Sequence, residues 1–223
     1  MAIFAISDLH LPLGADKPMD VFGTRWDNYV EKIEYEWKKT VAEEDFVIIN
    51  GDLSWATYLE ESLKDFLFID KLPGTKLISK GNHDYWWETL TKMNGFLEKN
   101  KISRIYFMQN NAYDCKTCAV CGAKGWLSPE DKAFRAEDKK IYERELMRFE
   151  SSIKKALEIN KTVIAALHYP PDEAFSRVID AYNVKKCVYG HLHGKKAYEY
   201  RCPYENCTLV SADFLNFAPI RIF

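Results

Sequence analysis

Five short apolar runs in this chain each end abruptly in a small polar cluster, and this regularity restricts the fold more than any other feature. Residues 2–6 lead into Asp8-Leu9-His10, and 46–50 into Gly51-Asp52. Residues 76–79 lead into Gly81-Asn82-His83-Asp84, 162–167 into His168, and 186–189 into Gly190-His191-Leu192-His193-Gly194. The chain has five histidines and all of them lie in these clusters. Apolar runs of four to six residues with this spacing predict buried strands. In open α/β sheets the loops beyond the carboxyl ends of the strands collect at one edge, so clusters far apart in sequence can meet in one crevice.

Between the runs lie segments of helical period. Trp26, Val30, Ile33, Trp37 and Val41 recur at steps of three and four and predict a helix over 24–43, with Thr24 and Asp27 as a capping box. Tyr142, Leu146, Phe149, Ile153 and Leu157 predict a second helix over 135–160. Shorter helices are expected at 59–71, 86–99 and 172–182, and further strands at 208–211 and 220–223. Strands alternating with helices make a layered α/β domain. At 223 residues with 47% hydrophobic side chains the chain can bury a full core. No Pro/Gly/Ser-rich linker divides it, so one domain over 1–223 is expected.

Charge and length exclude several classes. Thirty-one basic against 33 acidic residues leave a net charge of −2, which weighs against nucleic acid as the partner and leaves room only for local basic contacts. No apolar run approaches the roughly 18 residues that span a bilayer, so no membrane partner is expected. The start of the chain lacks the basic and long apolar regions of a signal peptide, so a cytoplasmic location with reduced cysteines is expected. Cys115, Cys118 and Cys121 are spaced like metal ligands, yet Gly125 stands where a bacterial-type cluster would want its fourth cysteine. They are expected to be thiols on a hairpin around Lys116-Thr117.

The chemistry follows from the polar clusters. Asp8 and His10, two apart, point to the same side of an extended backbone, as do His191 and His193. Gly51 lets the chain turn sharply before Asp52, whose two carboxylate oxygens can bridge two cations. Asn82 offers a neutral amide oxygen and His168 an imidazole nitrogen. Two aspartates, one asparagine and four histidines are too many donors for one tetrahedral ion and suit a pair. Mixed N/O ligands without thiolate favour Mn²⁺, Fe, Zn²⁺ or Co²⁺ over Ca²⁺ or an iron–sulfur cluster. Two cations about 4 Å apart can acidify a shared water to hydroxide and orient it for attack on a bound electrophile. His83, beside Asn82 but not needed as a ligand, can give a proton to the departing alkoxide, with Asp84 expected to orient its ring and raise its pKa.

The ordered blocks D-x-H, G-D, G-N-H-D, H and G-H-x-H, from Asp8 to His193, resemble the signature of the calcineurin-like metallophosphoesterases, with no departure at these positions. That resemblance implies a four-layer α/β/β/α sandwich with two mixed sheets. It implies Asp8, His10 and His193 on one metal, Asn82, His168 and His191 on the other, and Asp52 as the bridge. His83 and Asp84 would be the catalytic pair. The implied activity is hydrolysis of a phosphomonoester or phosphodiester in a small phosphorylated substrate, manganese being one suitable ion, with no protein partner expected. The competing reading is a non-catalytic metal-binding scaffold of the same fold, since fold does not fix function. A metallo-β-lactamase-like hydrolase would want H-x-H-x-D-H, which His191-Leu192-His193-Gly194-Lys195-Lys196 does not supply. Trp55, Tyr85, Trp86, Trp87 and Trp126 flank the clusters and are candidates for the pocket mouth as well as for core packing.

Overall fold

In the computed structural model, which describes residues 1–15, 17, 19, 21 and 23–223, the apolar runs form two five-stranded mixed sheets. In the first, β1 (Ile3–Ile6), β2 (Phe46–Asn50), β3 (Thr75–Ser79) and β4 (Ile105–Met108) are parallel, and β10 (Ile220–Arg221) pairs antiparallel with β1. In the second, β6 (Ala119–Ala123), β7 (Val163–Leu167), β8 (Lys186–Tyr189) and β9 (Cys207–Leu209) are parallel. There β5 (Ala112–Asp114) is the antiparallel edge.

Side chains alternate across each strand, and both faces are apolar because both are covered. Ile3, Ala5, Ile48 and Leu77 of the first sheet pack against Val120, Ile164, Ala166 and Val188 of the second. On the outer face of the first sheet, Phe4, Ile6, Val47 and Ile49 meet α1 (Tyr29–Thr40), α2 (Leu63–Lys71) and α3 (Leu90–Lys99). Outside the second, Cys121, Val163, Ala165 and Leu167 meet α4 (Asp138–Ile159) and α5 (Glu173–Ala181). The result is the four-layer sandwich, helix, sheet, sheet, helix. The sheets are also tied at their carboxyl edge. Ser7 N donates to Val210 O at 2.7 Å, Ala212 N to Ser7 O at 2.8 Å, and Asn50 Nδ2 to Leu167 O at 2.8 Å. These bonds hold loops of opposite sheets in one frame.

Several boundaries differ from the sequence expectations. The helix expected over 24–43 begins at Tyr29, after a 3-10 turn at Thr24–Trp26 and a left-handed Asn28. Thr24 caps nothing, because it lies inside that turn. The helix expected from Trp86 starts at Leu90, capped by Thr89, since Trp86 and Trp87 are pulled into the core beside Phe66 and Phe107. Both tryptophans are therefore packing residues. Strand β4 and a short helix α6 (Gly194–Glu199) were not expected, and β5 and β6 were expected only as the arms of a hairpin around Lys116-Thr117. Strand β6, Ala-Val-Cys-Gly-Ala, is built of small residues that carry little β signature. The cysteine hairpin is present, with Lys116 in the left-handed region and Cys115 N bonded to Cys118 O. Cys115 and Cys118 sit in the core between the sheets and Cys121 in the outer core. Among the described residues no helix is long and apolar enough to cross a membrane.

Candidate metal centre

The loops after β1, β2, β3, β7 and β8 converge at the carboxyl edge of both sheets, and the backbone there is unusually constrained. Asp8, His10, Asp52 and His191 have φ of 56°, 45°, 51° and 68°, a region that costs a non-glycine residue roughly 1–3 kcal/mol. Continued pairing between the loops holds them there, with Asp8 N on Gly51 O and His10 N on Asp52 O, both at 3.0 Å. Gly51 itself has φ 99°, and a Cβ on it would lie 2.6 Å from Gly81 and 2.7 Å from His168 Nδ1. Only glycine lets these three loops touch.

Two groups of donor atoms lie within 4.8 Å of one another, Asp8–His10–His193 and Asp8–Asp52–His168. Asp52 Oδ2 of the second group, 3.5 Å from His168 Nε2, is also 3.8 Å from His10 Nε2 of the first. Asn82 Oδ1 is 2.7 Å from His168 Nε2, and the His191 ring is 5.2 Å from that of His168. Every residue expected to be a ligand is thus brought to this edge.

The surroundings orient the donors. His168 Nδ1 meets Asn50 O at 3.0 Å, leaving Nε2 to face the centre, and His193 Nδ1 meets Asp213 Oδ1 at 2.8 Å. Such outer partners fix ring tautomer and direction in metal sites. Asp8 accepts from Ser7 Oγ, from Ser211 Oγ at 2.9 Å and from His191 N at 3.0 Å. Trp55 stacks on His10 at 4.6 Å.

The electrostatics fit cations. Burial pushes His10 and His168 down to about 3 and His191 down to about 4, so their lone pairs are free at neutral pH. His10 Nδ1 is buried with no hydrogen-bond partner among the described residues. Burial, then the charges of Asp84 and Asp8, raise Asp52 well above the usual carboxylate range. Asp8 is lowered: burial opposes this, but the hydrogen bond from His193 and the charges of His168, His193 and His10 outweigh it. Converging carboxylates with neutral imidazoles between them are relieved by positive charge at the centre.

His193 differs from the other imidazoles. Burial would lower it, but the bond to Asp213 and the nearness of Asp8 push it up to about 10, so it is protonated at pH 7. A cation bound at Nε2 must displace that proton. Loading the metal-free protein with Mn²⁺ at pH 7 is therefore expected to release protons, from this residue and from the raised Asp52 carboxyl, and affinity to rise with pH. Calorimetry in buffers of different ionisation enthalpy measures the release; none would contradict the assignment of His193 as a ligand.

The expected pairing of Asp84 with His83 is not what the geometry shows. Asp84 Oδ2 accepts from Asp52 N at 2.9 Å and Gly81 N at 2.7 Å, and Oδ1 from Leu53 N at 2.9 Å and Trp86 Nε1 at 3.0 Å. Its oxygens are filled, and it makes no hydrogen bond to His83 among the described residues. The carboxylate is turned inward, where it joins the Gly51-Asp52 loop to the Gly81-Asn82 loop. His83 is half-buried, 5.7 Å from the His10 ring, and burial lowers its pKa where a rise was expected. Its backbone N–H donates to Asp52 Oδ1 at 2.8 Å.

Sequence reasoning missed Asp213, Ser7, Ser211 and Asn50. The first had a readable signal. Val210-Ser211-Ala212-Asp213 repeats the pattern of an apolar run ending in an acid. Of the tryptophans, Trp55 lies at the centre through its stack on His10, and Trp126 lines a cleft of about 890 Å³ that reaches His191. Tyr85 is exposed, its ring 6.3 Å from that of His83.

The sequence profile described as calcineurin-like phosphoesterase matches residues 1–195. No curated protein matches the chain. Among solved structures, a protein of unknown function from Aquifex aeolicus is similar with a TM-score of 0.56 at 17% identity, over 99% of this chain and 95% of that one. Phosphopantetheinyl hydrolase from Mycobacterium tuberculosis is similar with a TM-score of 0.51 at 12% identity, over 95% and 88%. At these identities the two structures speak for the shared fold.

Proposed function

This chain belongs to the calcineurin-like phosphoesterase family of metal-dependent hydrolases, and from that premise we propose that it cleaves a phosphomonoester or phosphodiester at a centre holding two divalent cations. The observation that carries the two-cation reading is the pair of donor groups, Asp8–His10–His193 and Asp8–Asp52–His168, that share Asp8, with Asp52 Oδ2 of the second also 3.8 Å from His10 Nε2 of the first. Asp8, His10 and His193 would hold one ion, Asn82, His168 and His191 the other, and Asp52 would contact both. When bound, such a pair supplies Lewis acidity that activates water and neutralises charge on the phosphoryl oxygens. The mixed N/O donor set suits Mn²⁺, Fe, Zn²⁺ or Co²⁺.

The chain's own residues do the rest. Asp84 and the backbone N–H of His83 hold the Asp52 loop and carboxylate at fixed angle. Asp213 holds His193. The half-buried His83 side chain stands free of hydrogen bonds among the described residues and would protonate the leaving oxygen; because burial lowers its pKa, that contribution should grow as pH falls. The cleft beside His191, floored by Trp126, Tyr169 and Tyr200, has room for the leaving group.

The test is a panel of aryl and alkyl phosphomonoesters, phosphodiesters, cyclic nucleotides and a phosphopantetheinyl ester, assayed with Mn²⁺, Fe²⁺, Zn²⁺ or Co²⁺. Hydrolysis that a chelator stops and metal restores is expected. Metal binding with no turnover of any ester would favour the scaffold reading instead. His83→Ala should lower kcat by about 10²-fold or more on alkyl esters and far less on p-nitrophenyl phosphate, whose leaving group needs no proton. Equal loss on both would remove the acid role.

A further inference from the structure

A second cleft, of about 360 Å³, opens along the same sheet edge between the carboxyl ends of β3, β4 and β6 and helix α4. Its walls carry Lys80, Lys124, Arg144 and Arg148, in a chain whose net charge is −2. Of the two acids that line it, Glu145 is buried and taken by Arg148 at 2.7 Å, and Glu88 is paired with Lys92 at 3.3 Å. Among the described residues, Lys80, Lys124 and Arg144 have no carboxylate within 4.0 Å. Three cations without carboxylate partners gathered in one concavity repel one another, and an oxyanion relieves them.

The cleft is coupled to the metal centre by the backbone. Lys80 directly precedes Gly81, whose N–H holds Asp84, and Lys124 O accepts from His168 N at 3.1 Å and Tyr169 N at 3.0 Å. Strand β3 adjoins β2, which carries Asp52, and β6 adjoins β7, which carries His168. One to two strand spacings, roughly 5–10 Å, separate the cleft from those ligands.

We propose that this cleft binds a phosphoryl group other than the one being cleaved, held by Arg144, Lys80 and Lys124. Arginine offers two parallel N–H donors that match a tetrahedral oxyanion, and the lysines add point charge. The group is either a second phosphoryl of the substrate or free inorganic phosphate, which present the same oxygens. The site does not require the hydrolytic reading, although its first source does.

Both arms of the test use the Mn²⁺-loaded full chain at fixed ionic strength, comparing wild type with Arg144→Gln and Lys124→Gln. In the first, calorimetric titration with inorganic phosphate is expected to show one site more in wild type than in the variants, or an affinity about tenfold higher. In the second, α,ω-alkanediol bisphosphates are compared with the matching monophosphates. A substrate source predicts a KM about tenfold lower for the bisphosphate at one preferred chain length, a preference lost in Arg144→Gln with kcat on monophosphates unchanged. Loss of a phosphate site without a bisphosphate preference supports free phosphate as the ligand. Unchanged phosphate binding together with an unchanged bisphosphate ratio in both variants overturns the proposal. If no ester is turned over at all, the titration still decides this site, and the failure belongs to the hydrolytic reading.

Discussion

Asp52→Asn is expected to abolish metal-stimulated hydrolysis, by on the order of 10³-fold or more, while the metal-free protein becomes no less stable to heat. The two effects have one cause. In the metal-free state Asp52 is buried beside Asp84 and Asp8, so its carboxyl is raised well above its ordinary range and its charge is unwelcome. The amide removes that charge and can keep the bond from His83 N at 2.8 Å to Oδ1. With cations present the balance reverses. Oδ2, now near both His10 and His168, would be an NH₂ that cannot donate a lone pair, and the charge that holds two ions together would be lost. Thermal melts with chelator and with Mn²⁺, beside turnover, separate the two. Activity within about tenfold of wild type would mean that Asp52 does not bridge.

Asp84→Asn is expected to cost about 3–5 kcal/mol of stability, weaken metal binding, and lower turnover about 10–100-fold on good and poor leaving groups alike. Four N–H groups converge on its two oxygens, and an amide can accept on one oxygen only. Whichever way the amide turns, two buried donors are left facing an NH₂, each at roughly 1–3 kcal/mol. Burial raises this carboxyl to about 6, so it is ionised at pH 7. Between about pH 6 and pH 4 folded wild-type Asp84 takes up a proton that the unfolded chain does not yet bind, so wild-type stability should rise relative to the non-titrating asparagine variant and the difference should widen. Were Asp84 the partner of His83, its replacement would instead spare p-nitrophenyl phosphate and be non-additive with His83→Ala. A variant as stable as wild type with only that selective loss would restore the pairing.

Most of the candidate centre was legible because its signal is local. A ligand at the end of a buried strand must sit in the first residues after an apolar run, and a glycine must stand wherever two such loops touch, as at Gly51. Those constraints are written in consecutive letters. The sheet interior was legible at β1, β2, β3, β7 and β8 for the same reason. It failed at β6, where Ala and Gly replace branched residues because Gly122 lies against Ala166 of the neighbouring strand. The first helix was drawn too long because Trp26 keeps the apolar period by packing on Tyr29 and Phe217 from a 3-10 turn. Period alone does not distinguish that turn from a helix.

What the letters determined by themselves was the chemistry: which side chains can donate to cations, and that they lie at the ends of buried strands in a layered α/β domain. Only the tertiary structure decided how those side chains are held. Asp84 follows His83 in the chain, yet its carboxylate turns inward to two N–H donors of the Asp52 loop and two of its own, and Asp213, 20 residues past His193, supplies that imidazole's partner. The cationic cleft is likewise assembled from three strands and a helix, none of which carries a basic run. Strand order and packing bring such groups together across the sheets, and those contacts have no counterpart in the spacing of residues along the chain.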